Sequence, residues 1–380
     1  MASLTHEFME TADQPKPERL HSLDALRGFD MFWITGGDAI FTSLAALTGW
    51  PLLKWWAGQL EHVPWSGFHA YDMIFPLFLF MAGISFPFSV AKRERSGENR
   101  GALYRHVITR GLLLVLLGII YNNAIRFDFA KMRYGSVLGR IGLAWMFAAL
   151  IFMNTNWKSR LVWLWGILIG YWLLFFLPHP GATADPFSPQ GNLAGFIDRT
   201  FLPGTFCCYT YGDSEGILSA IPAIGTALLG MFTGQFVMSQ AFRDKPLRRV
   251  LYMALAAVGL ILLGGLWNFG FPINKYLWSS SFVCFVGGLS LLLFTLFYLV
   301  IDIWKFRRWT TVLVVIGMNS ITIYIGARII DFSHAAKFLF GGVYALLPPA
   351  WNEFSAAVGY FAAAWLFLYF LYKNKLFFRV

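Results

Sequence analysis

The chain has 380 residues, of which 57% are hydrophobic, 18% aromatic and only 13% charged, and its formal net charge is +10. A soluble globular chain carries about 45–50% apolar and about 25% charged residues, so this chain lacks the polar side chains needed to cover a water-facing surface. The composition excludes a soluble enzyme, a disordered chain and a coiled coil. It predicts an all-α, polytopic membrane protein.

Uncharged or nearly uncharged stretches of about 18 residues predict transmembrane helices. We expect about ten, in one bundle that forms a single transmembrane domain over residues 21–380, after a polar tail at residues 1–20 that does not resemble a cleavable signal. The predicted spans are 31–50, 73–91, 111–124, 141–157, 161–184, 216–242, 250–274, 276–301, 309–327 and 354–372. Stretch 338–352 is also uncharged, but it is short and interrupted by two prolines, which indicates an interfacial or re-entrant segment.

The distribution of positive charge predicts the orientation, because cytoplasmic loops of membrane proteins carry an excess of Lys and Arg. With both termini in the cytoplasm, most of the 30 Lys and Arg residues fall in inside loops, and the longest outside loop, 178–213, is net acidic. This bias explains the net charge without a nucleic-acid partner and makes the lipid bilayer the expected partner.

The chain has three cysteines, which are too few for a disulfide framework, and no Cys/His spacing indicates a metal site. Cys207 and Cys208 are adjacent in the outside loop. Neighbouring cysteines pair only with strain, so we expect two free or separately paired thiols, with a periplasmic disulfide between them as the alternative.

Ionisable residues within or beside membrane spans are costly and by default mark functional sites. The predicted inner ends carry Arg27, Arg105 and Arg110. The predicted outer ends carry His62, His69, Asp72, Asn123, Arg140, Glu215, Asn274 and Lys275, and Asn319 lies in the middle of a span. Polar groups at both ends of one bundle are typical of an enzyme or a transporter. Each also has a structural interpretation: Arg140 and Lys275 as side chains that snorkel to the interface, and Glu215 and Asn123 as helix caps.

His62 is the candidate general base. It lies in an outside segment whose Pro64, Trp65 and Gly67 indicate an ordered turn, and Asp72 opens the next span. A histidine held beside a carboxylate can take a proton near neutral pH. An ordinary interfacial histidine is the alternative, and His69 competes for the same role, although its position at the helix start favours capping or packing.

Several motifs occur in one order along the chain: SLDALRGFDMF, HVPWSG, YDMIFPLFLFMAG, SVLGRIGLA, SEGILSAIPAIGTALLGMFTG, FPINKYLWSSSFV and GMNSITIY. Together they resemble the transmembrane acetyltransferase family of heparan-α-glucosaminide N-acetyltransferase, and especially its compact bacterial members. The resemblance runs from about residue 19 to the end of the chain. It implies a multi-pass protein of the bacterial inner membrane that takes an acetyl group from cytosolic acetyl-CoA and passes it to the amine of glucosamine, or of a glucosaminide, on the periplasmic side.

The resemblance also assigns residues. The essential histidine of the family matches His62, the following aspartate matches Asp72, and the arginine of the first motif matches Arg27, where it could pair with CoA phosphates. The asparagine that assists this histidine in the lysosomal enzyme aligns near Thr35, where this chain has none. Asp38 or Asn123 is a candidate to replace it.

We therefore expect His62 to act as general base and Asp72 to orient it, either in direct transfer or through an acetyl-histidine intermediate. Donors to the thioester or to the cofactor are expected from Asn274, Lys275, Ser281 and Asn319. Contacts to the sugar are expected from Glu215, Asn123 and Arg140. Two other functions stay open: an amino-sugar transporter and an O-acetyltransferase of a periplasmic glycan. The sequence leaves open whether the chain forms a homo-oligomer.

Overall fold

The computed structural model of the protein describes residues 20–122, 131–242 and 244–378. In that part of the chain nearly all regular structure is helical, and one two-residue pair of strands is present. The predicted all-α, polytopic membrane fold is confirmed. Helices dominate because a bilayer offers no water to the backbone, so each spanning segment must satisfy its own N–H and C=O groups.

The helices follow one another through short connections. Their bounds are α1 His21–Phe32, α2 Asp38–Thr48, α3 Pro51–Gln59, α4 Ile74–Arg95, α5 Arg100–Tyr121, α6 Val137–Asn154, α7 Trp157–Leu174, α8 Leu193–Phe201, α9 Ala220–Met238, α10 Pro246–Trp267, α11 Ser280–Phe297, α12 Thr311–Met318, α13 Ser320–Ile329, α14 Phe332–Leu346 and α15 Asn352–Lys373. Strands β1, Cys208–Tyr209, and β2, Gly212–Asp213, pair in antiparallel fashion before α9.

Within the described ranges, seven helices are long and apolar enough to cross a membrane, or eight if the bent pair α12 and α13 counts as one span. We expected about ten. The stretch 31–50 is divided between α1 and α2 by a wide turn, Trp33–Gly37, in which Gly36 has a φ of 115°. The stretch 161–184 is helical only as far as Leu174, and the helix starts with a charged turn that lowers its mean hydropathy.

Helices α4 and α9 pack at close range. A Cβ atom added to Gly83 would collide with the carbonyl oxygen of Ala227, and one added to Gly230 would collide with that of Phe80. Small residues at such positions let membrane helices approach until their backbones touch. Asp72 lies two residues before the start of α4, so it belongs to the turn that leads into this packed helix.

Two loops meet at one end of the bundle, and they carry the residues discussed below. The first, 60–69, follows α3, and the second, 268–279, lies between α10 and α11. The N–H of Gly67 donates to the carbonyl of Ile273 at 2.8 Å, and the Tyr276 hydroxyl donates to the carbonyl of Val63 at 3.0 Å. These bonds join two segments that are more than 200 residues apart in sequence.

Candidate active site

His62 and Asp72 form a direct pair. Nδ1 of His62 lies 2.7 Å from Oδ1 of Asp72, whose side chain is completely buried, whereas 41% of the His62 side chain is exposed. The Tyr71 ring packs against the imidazole at 5.0 Å between centroids. A buried carboxylate that accepts from Nδ1 fixes the ring and leaves Nε2 as the nitrogen that can take a proton.

His69 occupies a different environment. Its backbone N–H donates to Oδ2 of Asp72 at 3.0 Å, and its ring Nδ1 lies 3.0 Å from the carbonyl oxygen of Glu61. His69 therefore stabilises the turn that leads into α4 and helps to fix Asp72. Of the two histidines, only His62 pairs its ring with the carboxylate.

Lys275 joins this pair from the second loop. Its Nζ lies 3.0 Å from Nδ1 and 3.1 Å from Nε2 of His62, and 3.4 Å from Oδ1 of Asp72. The lysine side chain is only 7% exposed, so the alternative interpretation, in which Lys275 snorkels to the interface, is wrong. Burial lowers the pKa of Lys275, against the opposing effect of the Asp72 and Glu215 carboxylates.

Asn274 and Ser281 shape the loop that presents Lys275. The side-chain oxygen of Asn274 accepts from the N–H of Leu277 at 2.9 Å, and its backbone N–H donates to Oγ of Ser279. Ser281 is fully buried, with its hydroxyl 3.0 Å from that of Ser279. The side-chain nitrogen of Asn274 is buried and has no partner in the described structure, so it is the donor in this loop that remains free for a ligand.

Glu215 belongs to a second ionic group, which includes an arginine that the sequence analysis missed. Arg133 binds Asp213 through two bonds of 2.6 and 2.7 Å and also pairs with Glu215, which accepts from the Ser214 hydroxyl at 2.6 Å. Burial opposes the charge on Arg133, but its carboxylate partners outweigh this effect and raise the pKa of the guanidinium. Nothing in the local sequence distinguishes Arg133 from the other outside basic residues.

Arg140 lies inside the bundle, and the alternative interpretation, in which it snorkels to the interface, is wrong. It is 4% exposed, its guanidinium lies 4.8 Å from the centroid of the Trp278 ring, and it bonds to the Ser219 hydroxyl. Its Nε and Nη1 atoms are buried without partners in the described structure. Arg140 and Glu215 both act electrostatically on Lys275, with opposite signs.

Asp38 and Asn123 are the candidates to replace the asparagine that the sequence lacks at Thr35. Thr35, at the aligned position, uses its hydroxyl to bond the carbonyl of Met31. Asp38 accepts from the Tyr71 hydroxyl at 3.1 Å, and Tyr71 packs on His62, so Asp38 is linked to the imidazole through one side chain. Asn123 lies outside the described residues.

Aromatic rings cover one side of these loops. Trp65 stacks on Tyr276 at 5.5 Å and contacts Tyr209 at 4.9 Å between centroids. Tyr209 follows Cys208, which is joined to Cys207 by a disulfide, so the expectation of two separate thiols is wrong. Cys208 has a left-handed φ of 82°, and this turn of the backbone brings the two side chains together.

A basic cluster occupies a different part of the bundle. Arg27 bonds to the Ser85 hydroxyl on α4 and lies 3.7 Å from Asp24, while Arg27 and Arg93 both act electrostatically on Arg110. The guanidinium of Arg110 lies 4.5 Å from the centroid of the Trp145 ring. Its Nε is buried and unpartnered among the described residues. Arg105, in contrast, is exposed.

A narrow apolar cavity lies next to the His62 site. Its free volume for a water-sized sphere is about 20 Å³, and it is lined by residues of α1, the Trp33–Gly37 turn, α4, α6 and α13, including Met31, Phe75, Phe78 and Ser320. Phe75 also contacts Lys275, whose Nζ lies 5.6 Å from the ring centroid.

Asn319 precedes Ser320 at the 61° bend between α12 and α13, where it is 1% exposed and neither side-chain polar atom has a partner in the described structure.

The fold and the site together define a class: a helical, polytopic membrane protein with a histidine–carboxylate pair and a buried lysine at one end of a packed bundle. The structure brings His62, Asp72 and Lys275 into direct contact, and Glu215 and Arg140 act electrostatically on Lys275. Arg27 and Asn319 lie elsewhere, near α4 and at the helix bend.

Comparison with known proteins gives the particular resemblance. The chain is similar to human heparan-alpha-glucosaminide N-acetyltransferase, with 27% identity over 371 aligned residues that cover 83% of this chain and 53% of the relative. The mouse enzyme of the same name is 25% identical over 425 aligned residues, which cover 97% of this chain and 63% of the relative. The chain thus spans about half to two thirds of the length of these relatives. No family model matches it. The similarity confirms the resemblance read from the motifs and supports membership of the heparan-alpha-glucosaminide N-acetyltransferase family.

Proposed function

We propose that the protein is a membrane-embedded N-acetyltransferase that moves an acetyl group from cytosolic acetyl-CoA to the amine of glucosamine, or of a glucosaminide, on the periplasmic side of a bacterial inner membrane. The observation that carries this proposal is the 2.7 Å pair between His62 and the buried Asp72. The pair falls on the family motifs, and the imidazole is the partly exposed member, so a substrate amine can reach it.

In the proposed reaction, the neutral amine of the sugar attacks the carbonyl carbon of the thioester. Nε2 of His62 takes the proton that the amine loses as the new C–N bond forms, while Asp72 holds Nδ1. The tetrahedral intermediate then collapses, the C–S bond breaks, and the CoA sulfur leaves with the proton that His62 returns. Positioned general-base catalysis of this kind is typically worth about 10²–10⁴-fold in rate.

The developing oxyanion needs a donor. The free side-chain nitrogen of Asn274 suits this role because it is buried, unpartnered in the described structure and in the loop that carries Lys275. Asn319 is the other buried amide with unused capacity, at the helix bend next to the cavity residue Ser320. Glu215 and Arg140, on the other side of Lys275, are placed to bind sugar hydroxyls or the substrate ammonium.

The basic cluster fits the phosphates of acetyl-CoA. Arginine is suited to phosphate because its planar fork can donate two parallel bonds, and Arg110 has a buried nitrogen that is unpartnered in the described part of the chain. Asp72 contacts His62, and Ser85 contacts Arg27 in the basic cluster. The two residues are thirteen apart along α4, which corresponds to about 20 Å of helix. An elongated cofactor arm is needed to connect phosphates at one end with a thioester at the other, and the cavity residues Phe75 and Phe78 lie on α4 between these two ends.

The test uses purified protein in nanodiscs with acetyl-CoA and glucosamine, and it measures the release of free CoA and the formation of N-acetylglucosamine. We expect turnover in the wild type and a loss of at least 100-fold in kcat for His62→Gln, with His69→Gln as the matched control. Uptake of sugar into liposomes without CoA release would identify a transporter instead. CoA release with a glycan but not with glucosamine would identify an O-acetyltransferase.

The same preparation separates the two chemical routes. After a single turnover with labelled acetyl-CoA and no sugar, label that stays on the protein and is lost in His62→Ala indicates an acetyl-histidine intermediate. The direct route leaves no label on the protein.

A further inference from the structure

The position of Lys275 relative to the His62 ring is unusual. Its Nζ is almost equally distant from the two ring nitrogens, 3.0 and 3.1 Å. An atom in the ring plane at these distances from Nδ1 and Nε2 would collide with the ring carbons. The ammonium therefore lies above the plane of the ring. The lone pair that accepts a proton on an imidazole nitrogen lies in the ring plane. Lys275 therefore leaves Nε2 open to a substrate.

The lysine serves more than an ion pair with Asp72. Nζ is closer to both nitrogens of His62 than to Oδ1 of Asp72, which is 3.4 Å away. Asp72 has its own closer partner in Nδ1 of His62 at 2.7 Å, and its other oxygen accepts from the backbone of His69. The imidazole is thus held between a carboxylate at its edge and an ammonium over its face.

The charges around this pair are few and can be named. Asp72 and Tyr71 face His62 from the turn before α4, and Lys275 faces it from the loop before α11. Glu215 and Arg140 act on Lys275 with opposite signs. Asp72 favours a proton on His62, whereas the positive charge of Lys275 opposes it.

We propose that Lys275 is a positioning residue that acts through His62: its ammonium, over the face of the ring, offsets the Asp72 carboxylate at the ring edge and leaves the Nε2 lone pair free to accept the proton of the attacking amine. The proposal rests on the proposed role of His62 as general base. It assigns Lys275 a role toward the base instead of the thioester, and it explains why a costly buried lysine lies in the site. Burial lowers the pKa of Lys275, while the carboxylates of Asp72 and Glu215 help it to keep its charge.

The experiment measures the titration of His62 directly and needs no turnover. Diethylpyrocarbonate reacts with neutral imidazole. The intact protein is treated at a series of pH values and then digested, and mass spectrometry of the peptides gives the rate of His62 modification. The dependence of this rate on pH gives the midpoint of the His62 titration. In Lys275→Met the positive charge is removed at similar length. We expect the midpoint to rise by about 1 to 2 pH units, the lower part of the range for a nearby charge, because 41% of the His62 side chain is exposed.

Two variants serve as controls. Lys54→Met removes the charge of an exposed lysine on α3, and its midpoint should equal that of the wild type. Lys275→Arg keeps the charge and should return the midpoint to within about 0.5 pH unit of the wild type, even if the larger side chain lowers kcat. Thermal melts of each variant check the fold.

The acidic limb of the kcat/KM profile should move in the same direction in Lys275→Met. Unchanged midpoints in both Lys275 variants, or equal shifts in both, would overturn the proposal and leave Lys275 with a substrate-binding or purely structural role. A shifted midpoint in a protein that releases no CoA would support the Lys275 proposal while refuting the proposed function, so the two failures are distinguishable.

Discussion

Asp72→Asn removes one charge from the site with little change in shape, and the structure specifies its consequences. The carboxylate accepts from Nδ1 of His62 on one oxygen and from the N–H of His69 on the other. An asparagine has only one oxygen. If that oxygen faces His62, the amide NH₂ meets the N–H of His69, and an unsatisfied buried donor costs about 1–3 kcal/mol.

The other orientation is worse for catalysis. If the oxygen faces His69, the NH₂ group donates to Nδ1 of His62 and forces the ring proton onto Nε2, which can then no longer act as a base. In both orientations Lys275 loses its carboxylate partner. Breaking a buried ion pair costs about 3–5 kcal/mol, and the lower end applies because Glu215 is still close enough to act on Lys275.

We therefore expect Asp72→Asn to lower kcat by about 10²–10⁴-fold, the usual value of general-base catalysis, with the KM for acetyl-CoA changed by less than about threefold. The melting temperature should also fall. The assay is CoA release in nanodiscs together with a thermal melt. Asp331→Asn is the matched control, since Asp331 also accepts from a backbone N–H, but as an exposed cap of α14. A kcat of Asp72→Asn within threefold of the wild type would refute the reasoning.

Three further predictions concern binding and packing. Arg110→Gln should raise the KM for acetyl-CoA about 10- to 100-fold, the value of a hydrogen bond to a charged group. Arg105 is exposed, so Arg105→Gln should change this KM less than twofold. Equal effects of the two substitutions would contradict the phosphate role. Gly230→Ala should lower the melting temperature. The added methyl group overpacks the contact at a cost of about 1–3 kcal/mol, which exceeds the roughly 1 kcal/mol gained in helix propensity. Gly259→Ala is the control and should not lower the melting temperature, because its added Cβ meets nothing. Arg133→Met should lower the melting temperature, because it leaves the buried carboxylates of Asp213 and Glu215 without their guanidinium partner. An unchanged melting temperature would contradict this.

Much of the fold could be predicted from the sequence because a lipid bilayer allows few backbone structures. A long apolar segment in a bilayer has to be a helix, so composition and the length of uncharged stretches were enough to predict the all-α membrane fold. The count of spans was less accurate. A glycine with positive φ divides the first stretch, which a hydropathy average does not show. Helix α7 begins at Trp157, before the predicted stretch, and the charged turn that this adds lowers the mean hydropathy of the helix.

The sequence alone predicted a pair between His62 and Asp72, ten residues apart on either side of one turn, but left His69 as a competitor; the structure shows the contact. Only the tertiary structure decided that Lys275, 213 residues away, lies over the imidazole, and that Arg133 reaches Glu215 across 82 residues. The physical reason is that a helical span follows from local chemistry, whereas contacts between loops depend on how the helices pack. At the ends of this bundle, close contacts between α4 and α9 and two hydrogen bonds between the loops determine which charged side chains meet.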